Sequence, residues 1–389
     1  MPGIVFVPAK KKDHSPLGDL LAHAFGFPPG DATVWFERAG AENIRVLKRG
    51  ERVVGGLLEV PMGQFFGGKS VKTLGVAGVG IAPDERGGGL AAQMMVSMLR
   101  EGRANGFPLS TLYPASITLY RRAGYERAGA RMRISVDARM LHVPKVPGAK
   151  VQEVEGVPDE LRALYTETAT TQTGFLDRGP YVWTRVFAPR GLHTKTFTIS
   201  FAGRLEGYAV ISHKMGDLDS RVNVTDLAAK SPRAMRAILR LLCEYRSLAT
   251  SIHWAGGLDD PFISFLPERH HTIDLGDFFM LRIADPAAAL AARGYPPIDA
   301  SVVLELRDET MRENSGRYEL VVTKGVAAVE KTKKPAQVRL TEHALAALYS
   351  GYLTPSVLER IGMIRASVAA KNALSALFAG PAPSLRDYF

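Results

Sequence analysis

Hydrophobic and polar positions along the first third of the chain follow the spacings of strands and helices. Asn43–Leu47 and Arg52–Val60 are rich in strand-forming residues, and Gly50 lies in the turn between them, which predicts a hairpin. A further strand is predicted over Thr73–Ile81, where three glycines indicate a bulge or the close approach of a ligand or another backbone. From Leu90 onward apolar residues recur at helical spacing, so a helix should follow this strand directly.

The same order of elements recurs more weakly in the middle of the chain. Strands are predicted over Lys195–Phe201, Leu205–Ser212 and Val222–Leu227, and a helix over Pro232–Leu242. This order predicts a second copy of the same fold. The turn before its helix, Ala228–Ser231, lacks the glycines of its counterpart. We therefore interpret the second copy as structural.

The last block, from Asp277 onward, is predicted to be a small α+β domain. Asp285 followed by proline begins a helix, and alternating apolar residues within 302–322 predict two strands. Three more helices are predicted at Thr341–Tyr349, Thr354–Ile361 and Ser367–Phe378. The terminal segment Gly380–Phe389 is expected to trail off as a loop. The domain boundaries that follow are 1–149, 150–276 and 277–389, which suits a chain of 389 residues.

Composition excludes several classes of protein. With 46% hydrophobic and 23% charged residues, the chain has the balance of a soluble globular protein. A single cysteine, Cys243, excludes an internal disulfide framework and a cysteine-based metal cage, and we predict no metal. No apolar run reaches the roughly 20 residues of a membrane helix. The N-terminus lacks the order of a secretory signal, so we expect a cytoplasmic protein.

The net charge of +10 favours an anionic partner. The basic residues are scattered and no nucleic-acid recognition motif accompanies them, so we expect neither nucleic acid nor a membrane as the partner. A phosphate-bearing cofactor remains as the anionic partner that the charge favours. The segment Val79–Ala91 fits one, because a strand runs through a glycine loop into a helix, whose first amides and dipole attract a pyrophosphate. The loop has neither a Walker ending nor the position of a dinucleotide fingerprint.

This loop resembles the pyrophosphate loop of the GCN5-related N-acetyltransferases (GNAT), whose Arg/Gln-x-x-Gly-x-Gly/Ala signature is matched by Arg86, Gly89 and Ala91. Downstream, Ile117–Tyr125 is similar to the end of that family's catalytic domain. The three blocks and the final Tyr388-Phe389 resemble the Eis (enhanced intracellular survival) branch. The resemblance implies a mixed α/β, α+β chain: a catalytic GNAT domain, a degenerate second GNAT-like domain and a sterol-carrier-protein-like domain with a functional C-terminus.

The resemblance also implies acetyl-coenzyme A as co-substrate and direct attack by a primary amine on its thioester. Backbone groups of two strand residues would hold the pantetheine arm, and the loop and first helical turn the pyrophosphate. The implied cofactor-binding residues are Val79, Gly80, Ile81, Arg86, Gly87, Gly88, Gly89, Leu90, Ala91, Ala92, Ala115 and Ser116. Relatives often carry a second basic residue where this chain has Gly87 and Gly88, a difference that would loosen the hold on phosphate.

Two catalytic residues are implied by the same resemblance. Tyr120 would be the general acid for the departing thiolate, since a phenol with a pKa of about 10 is protonated at neutral pH. The terminal carboxylate of Phe389 would be the general base. A free terminal carboxylate, with a pKa of about 3.5, is a weak base. Three roles are therefore open: a base strengthened by burial, a base acting through water, or an anion attracting the cationic amine. Asp387 is a second candidate.

The acceptor and the assembly are implied less closely. The family suggests an aminoglycoside-like small molecule or a lysine side chain as the acceptor, and a homohexamer as the assembly. A chain of net charge +10 would repel a polycation unless the pocket is locally acidic. Phe25, Trp35 and Phe36 are candidates for the acceptor pocket or simply core aromatics. Two other functions stay open, a non-catalytic protein that binds acetyl-coenzyme A or an apolar ligand, and a regulatory protein-lysine acetyltransferase.

Overall fold

The computed structural model describes residues 3–28, 30–156, 158–189, 191–214, 220–266 and 269–389, and the chain divides into two compact units. The first unit contains Met1–Ala128, Phe279–Ala379 and Phe389, and the second contains Gly129–Phe278 and Gly380–Tyr388. The strands are β1 (Ile4–Pro8), β2 (Ile44–Arg49), β3 (Arg52–Phe66), β4 (Lys69–Ile81), β5 (Leu109–Leu112), β6 (Glu126–Asp137), β7 (Ala149–Val154), β8 (Leu176–Asp177), β9 (Lys195–Phe201), β10 (Arg204–Lys214), β11 (Arg221–Ala229), β12 (Ser251–Gly256), β13 (His271–Ile283), β14 (Ala300–Arg307), β15 (Gly316–Thr323), β16 (Val326–Lys331), β17 (Val338–Thr341) and β18 (Ile364–Ala366). The α-helices are α1 (Lys11–Phe25), α2 (Gly30–Ala39), α3 (Leu90–Ala104), α4 (Ile117–Arg121), α5 (Asp159–Ala169), α6 (Pro180–Phe187), α7 (Pro232–Leu242), α8 (Pro286–Ala292), α9 (Glu342–Ser350), α10 (Pro355–Arg360) and α11 (Val368–Leu377).

The first unit contains two sheets. In one, the strand order is β1-β2-β3-β4-β5-β13, and β4 and β5 form a parallel pair connected through α3. Met94, Met98 and Leu99 of α3 are buried in the core between helix and sheet, as their helical spacing predicts. The other sheet has the order β16-β15-β14-β17-β18 and belongs to the last block of the chain.

The hairpin of β3 and β4 is longer than the sequence suggests. The predicted strand ends at Val60, but β3 continues to Phe66 and turns at Gly67-Gly68. Proline within a strand usually marks an edge, because it cannot donate to the ladder. Pro61 is tolerated here since the pairing of β3 with β2 ends at Leu58, before the proline is reached.

The second unit repeats this plan with the strand order β6-β12-β11-β10-β9-β7. Its parallel pair, β11 and β12, is connected through α7. The helix begins at Pro232, as predicted, and the Ser231 side chain caps it by accepting from the Ala234 amide. Cys243 is buried in this unit's apolar core, and burial raises the pKa of its thiol.

The helices of the last block lie where the sequence predicts them. Asp285, Thr341, Thr354 and Ser367 each cap a helix through a side-chain oxygen. The terminal segment is irregular, as expected, but it does not trail into solvent, because Leu385, Asp387 and Phe389 are buried. That expectation was wrong, since only contacts with residues far away in sequence hold this segment.

Among the residues that the structure describes, no helix has the length and apolar character needed to cross a membrane.

Candidate active site

The two strands that carry the predicted cofactor-binding residues are paired only in part. The parallel register of β4 and β5 covers Thr73–Gly75 against Leu109–Thr111, while β4 continues to Ile81. Val79, Gly80 and Ile81 lie in this continuation. Ala115 and Ser116 follow β5 and are exposed. The predicted pantetheine residues thus come after the last parallel pair on each strand, where β4 can offer its backbone groups to a ligand.

The glycines of β4 make a bulge, as their pattern indicates. The register between β3 and β4 shifts between Gly56 and Leu58, and Gly78 has a φ of 59°. A Cβ on Gly78 would lie 2.8 Å from both the Leu58 side chain and the Trp35 ring. Only glycine fits at this position, and the bulge redirects the end of β4 just before the loop.

The loop after β4 exposes backbone amides at the start of α3. Gly87 and Gly89 have φ values of 88° and 78°, and a Cβ on either would meet no atom within 4 Å. The first bond of the helix runs from the Gln93 amide to the Gly89 carbonyl, so the amides of Leu90–Ala92 precede it. Open space, left-handed glycines and a helix N-terminus suit the binding of a diphosphate.

Arginine side chains fasten this loop to the strand ends. Arg49 donates to both carboxylate oxygens of Glu85 at 2.9 and 2.8 Å. The exposed Arg86 donates from Nε to the Ile81 carbonyl oxygen at 3.1 Å. Arg86 therefore holds the loop against the end of β4.

Tyr120 is a buried phenol on the short helix α4. Its side chain is 5% exposed, and its ring meets the Tyr125 ring edge-on with centroids 6.1 Å apart. Burial raises the pKa of Tyr120 to about 12. The phenol therefore stays protonated over the whole range in which proteins work, as a proton donor must before its step. Tyr125 shares a hydrogen bond of 2.7 Å with Ser110, which fits a packing role.

The terminal residue Phe389 lies beside the point where β4 and β5 stop pairing. It is 7% exposed, and its ring centroid is 5.7 Å from that of Tyr113, which directly follows β5. A Cβ on Gly75 would come within 3.0 Å of the Phe389 ring. Gly75 is also the last residue of β4 registered with β5. The glycine that indicated close approach in the sequence is thus the one that makes room for the C-terminal residue.

Three aromatic side chains cluster near the bulge of β4. Phe25, Phe27 and Trp35 have centroids 6.0–6.5 Å apart, and Phe25 is 49% exposed. Phe36 is buried and packs near Gly18, so it belongs to the core. The predicted acceptor aromatics therefore separate into an accessible group beside the strand and a core residue.

Sequence reasoning missed the residues that hold the terminal segment. Arg178 of the second unit contacts Asp387 with both side chains buried, across 209 positions of sequence. No spacing rule could pair them. In the described part of the chain, no group of three or more His, Cys, Asp or Glu side chains is arranged to hold a metal ion.

Comparison with known families agrees with this arrangement. Residues 6–128 and residues 174–283 each match models of the acetyltransferase (GNAT) domain, and residues 286–386 match the sterol carrier protein domain. The chain therefore has tandem GNAT domains followed by a sterol-carrier-protein-like domain.

Relatives that cover most or all of the chain are also N-acetyltransferases by name or share their fold. An uncharacterized N-acetyltransferase of Streptomyces griseus is 29% identical over 311 residues, 73% of this chain and 74% of the relative. The crystal structure of a GCN5-related N-acetyltransferase from Anabaena variabilis is 31% identical, has a TM-score of 0.95 and covers 100% of both chains. Eis1 from Mycobacterium abscessus shares the fold, with a TM-score of 0.81 and 23% identity over 100% of both chains. The chain belongs to the GNAT N-acetyltransferase family and is an acetyl-coenzyme A-dependent acyltransferase.

Proposed function

We propose that this enzyme is an Eis-like N-acetyltransferase that acetylates a primary amine of an aminoglycoside-like small molecule or of a lysine side chain. The observation that supports it most is the burial of Phe389 beside Gly75 and Tyr113, where β4 and β5 stop pairing. A terminus without a role is usually exposed and frayed. The predicted cofactor residues Val79–Ile81 continue from the same point of β4.

In the proposed reaction the amine nitrogen attacks the thioester carbonyl carbon, a C–N bond forms and the C–S bond breaks. The Phe389 carboxylate takes the proton that the amine loses, and the Tyr120 hydroxyl gives its proton to the departing thiolate. Backbone groups of Val79 and Ile81 hold the pantetheine arm, and the amides from Gly87 to Ala92 hold the diphosphate. Ala115 and Ser116 complete the groove on the β5 side.

An extension of the C-terminus tests the role of Phe389. Three added residues move the carboxylate away and place a peptide bond where it was. We expect kcat to fall by about 100-fold or more, because a general base contributes that much, while the KM for acetyl-coenzyme A stays unchanged. Calorimetry with coenzyme A is the control for cofactor binding. Full activity of the extended chain would contradict the proposal, as would the failure of the native protein to bind coenzyme A.

The acceptor can be identified by measuring thiol release with a panel of amines. The cluster of the exposed Phe25 with the half-buried Phe27 and Trp35 near Gly78 offers π-faces that attract ammonium groups, which favours amines over neutral acceptors. Activity on lysine peptides together with inactivity on small amines would select the lysine side chain as the acceptor, as expected of a regulatory protein-lysine acetyltransferase. The family assignment argues against a non-catalytic binding protein.

The assembly is proposed on the resemblance alone, and the location on the N-terminal sequence. We propose a cytoplasmic homohexamer, and domains bounded at 1–149, 150–276 and 277–389. Light scattering would then give a mass six times the 42.2 kDa of the chain. A monomer at micromolar concentration would contradict the hexamer without affecting the proposed chemistry.

A further inference from the structure

The segment Gly380–Tyr388 belongs to the second unit, and its residues Pro383–Asp387 are buried although they form no regular strand. The Ala130 amide donates to the Pro383 carbonyl at 3.2 Å, and the Leu385 amide donates to the Ala130 carbonyl at 3.2 Å. The Ser384 amide donates to the Thr173 carbonyl at 2.9 Å. Leu385 is fully buried. These backbone hydrogen bonds fix the path of the segment, but its role follows from where in the second unit it lies.

Its position in the second unit corresponds to that of the cofactor strand end in the first. The parallel pairing of β11 and β12 ends at Val224 and Trp254, just as that of β4 and β5 ends at Gly75 and Thr111. Three residues beyond Val224 in β11, the Leu227 carbonyl accepts a hydrogen bond from Arg386. In the first unit the equivalent stretch carries the predicted pantetheine residues.

The other side of this gap is formed by the chain just after β12. Arg386 Nη2 donates to Asp260 at 3.1 Å, and the Ser384 side chain lies within 3.0 Å of where a Cβ on Gly257 would be. Both partners follow the end of β12 at Gly256. The terminal segment therefore lies between the two strand ends, in the place that corresponds to the proposed cofactor groove of the first unit. A pocket of about 270 Å³ beside Ser384 and Arg386 is what remains of this gap.

A buried arginine anchors the segment one residue further on. Arg178 donates to both oxygens of Asp226 at 2.7 and 2.9 Å, and to both oxygens of Asp387 at 3.0 and 2.7 Å. Its guanidinium lies 3.5 Å from the centre of the Tyr165 ring, and its side chain is 0% exposed. Such two-pronged pairs are the most geometrically demanding ion pairs in proteins. The two hydrogen bonds fix the orientation of the Asp387 carboxylate, and the charge of Arg178 balances its charge.

The charges of this cluster are arranged so that Asp387 can be neutralised without leaving Arg178 unpaired. Burial acts to raise the pKa of Asp226, but the charge of Arg178 outweighs it and holds that pKa below its usual range. Tyr208 supports Asp226 with a hydrogen bond of 2.5 Å. Arg178 and Asp226 thus form a complete neutral pair within the unit, and Asp387 adds to it from the terminal segment.

We propose that the second GNAT-like unit is a receptor for the chain's own C-terminus, and that Arg178, Asp226 and Asp260 are positioning residues for the acetyl transfer. The Tyr388 carbonyl is also held, by a bond of 3.0 Å from Arg185 Nε, and Phe389 follows directly. The second copy lacks the glycine loop and uses its strand gap to hold the residues that directly precede Phe389. This inference rests on the proposed catalytic role of Phe389.

Asp387→Asn is the test variant, because it keeps the shape of the side chain and leaves Arg178 paired with Asp226. Asp259→Asn is the matched control, since this exposed carboxylate follows β12 next to Asp260. We expect Asp387→Asn to lower kcat by about 10- to 100-fold through misplacement of the base, with the KM for acetyl-coenzyme A unchanged. The control should keep wild-type values.

Release of Phe389 by carboxypeptidase A gives a second reading that does not depend on catalysis. We expect faster release from Asp387→Asn than from the wild type and the control, at temperatures where all three are folded. Unchanged release would overturn the anchoring. Faster release with unchanged kcat would overturn the positioning role and would also count against Phe389 as base. Absence of acetyl transfer by the wild type would refute the proposed function instead.

A disulfide tether separates positioning from any general effect of the charge. Gly257→Cys with Ser384→Cys would place the two Cβ atoms 3.1 Å apart, about 0.4 Å below the 3.5–4.5 Å range of disulfides, so the bond forms once the chain after β12 shifts slightly outward. Added to Asp387→Asn, the oxidised tether should restore kcat at least tenfold, and dithiothreitol should abolish the gain. If oxidation forms the bond and kcat stays low, holding the segment is not what Asp387 contributes, and the proposal fails.

Discussion

At the scale of single residues, Tyr120 and Tyr125 form a matched pair of buried phenols with different expected roles. Burial raises the pKa of Tyr120 to about 12, so its proton is present at every pH an assay can use. We expect Tyr120→Phe to lower kcat by about 100-fold, and its pH profile below about pH 10 to keep the wild-type shape. Tyr125→Phe removes the same atom from the phenol bonded to Ser110 and should keep most activity. Steady-state kinetics of both variants across pH measures this.

Equal losses in the two phenylalanine variants would show that removal of a buried hydroxyl, rather than loss of a proton donor, lowers the rate. If kcat of the wild type fell near neutral pH and this decrease were absent from Tyr120→Phe, the raised pKa of Tyr120 would be contradicted.

The glycines of the loop allow a similar comparison. Gly89 has a φ of 78°, whereas Gly88 has an ordinary φ, and a Cβ on either meets open space. An alanine in the left-handed region costs about 1 kcal/mol, so we expect Gly89→Ala to shift the start of α3 and weaken coenzyme A binding by about fivefold. Gly88→Ala keeps its amide and its backbone conformation and should bind within about twofold of the wild type. Calorimetry with coenzyme A measures both, and equal affinities would contradict the geometry of the loop.

At the scale of elements, local sequence signals were sufficient for α3, α7 and the helices of the last block. Ser231 and Thr341 cap helices that begin where the sequence predicts. The extension of β3 through Pro61 was not predictable, because it depends on where the neighbouring strand stops pairing. In the site, the glycines indicated both the bulge and a close approach, but not that Phe389 is what approaches Gly75. Contacts between residues that are hundreds of positions apart in sequence produce no periodic pattern from which they could be predicted.

Strand β3 also carries a buried carboxyl group whose ionisation opposes folding. Glu59 is 6% exposed, forms an ion pair with Arg45 at 3.0 Å, and has an Oε1 atom with no hydrogen-bond partner among the described residues. Burial raises the pKa of Glu59 to about 7, although the charge of Arg45 opposes the shift. The folded protein therefore binds the proton more tightly than the unfolded chain, and stability from this group is lost as pH rises from about 4.5 to about 7.

Glu59→Gln removes that titration while keeping the shape of the side chain. We expect the free energy of unfolding of the wild type, relative to this variant, to fall by about 2–3 kcal/mol between pH 5 and pH 8. Urea unfolding of both proteins at the two pH values measures it, and the other titrating groups cancel in the difference. A difference that stays constant with pH would show that Glu59 is ionised throughout.

At the scale of the whole molecule, the net charge of +10 opposes the family's polycationic acceptors. Long-range repulsion lowers the concentration of a polycation near the enzyme, and salt screens it, because the Debye length falls from about 14 Å at 50 mM to about 6 Å at 300 mM. We expect the KM for a polyamine acceptor to fall several-fold over this range, while that for a monoamine of single charge changes little. Initial rates with both acceptors in one salt series separate this effect from any general action of salt on the enzyme. A KM for the polyamine that rises with salt would show that local carboxylates around the acceptor pocket outweigh the overall charge, and polycations would then be the favoured substrates.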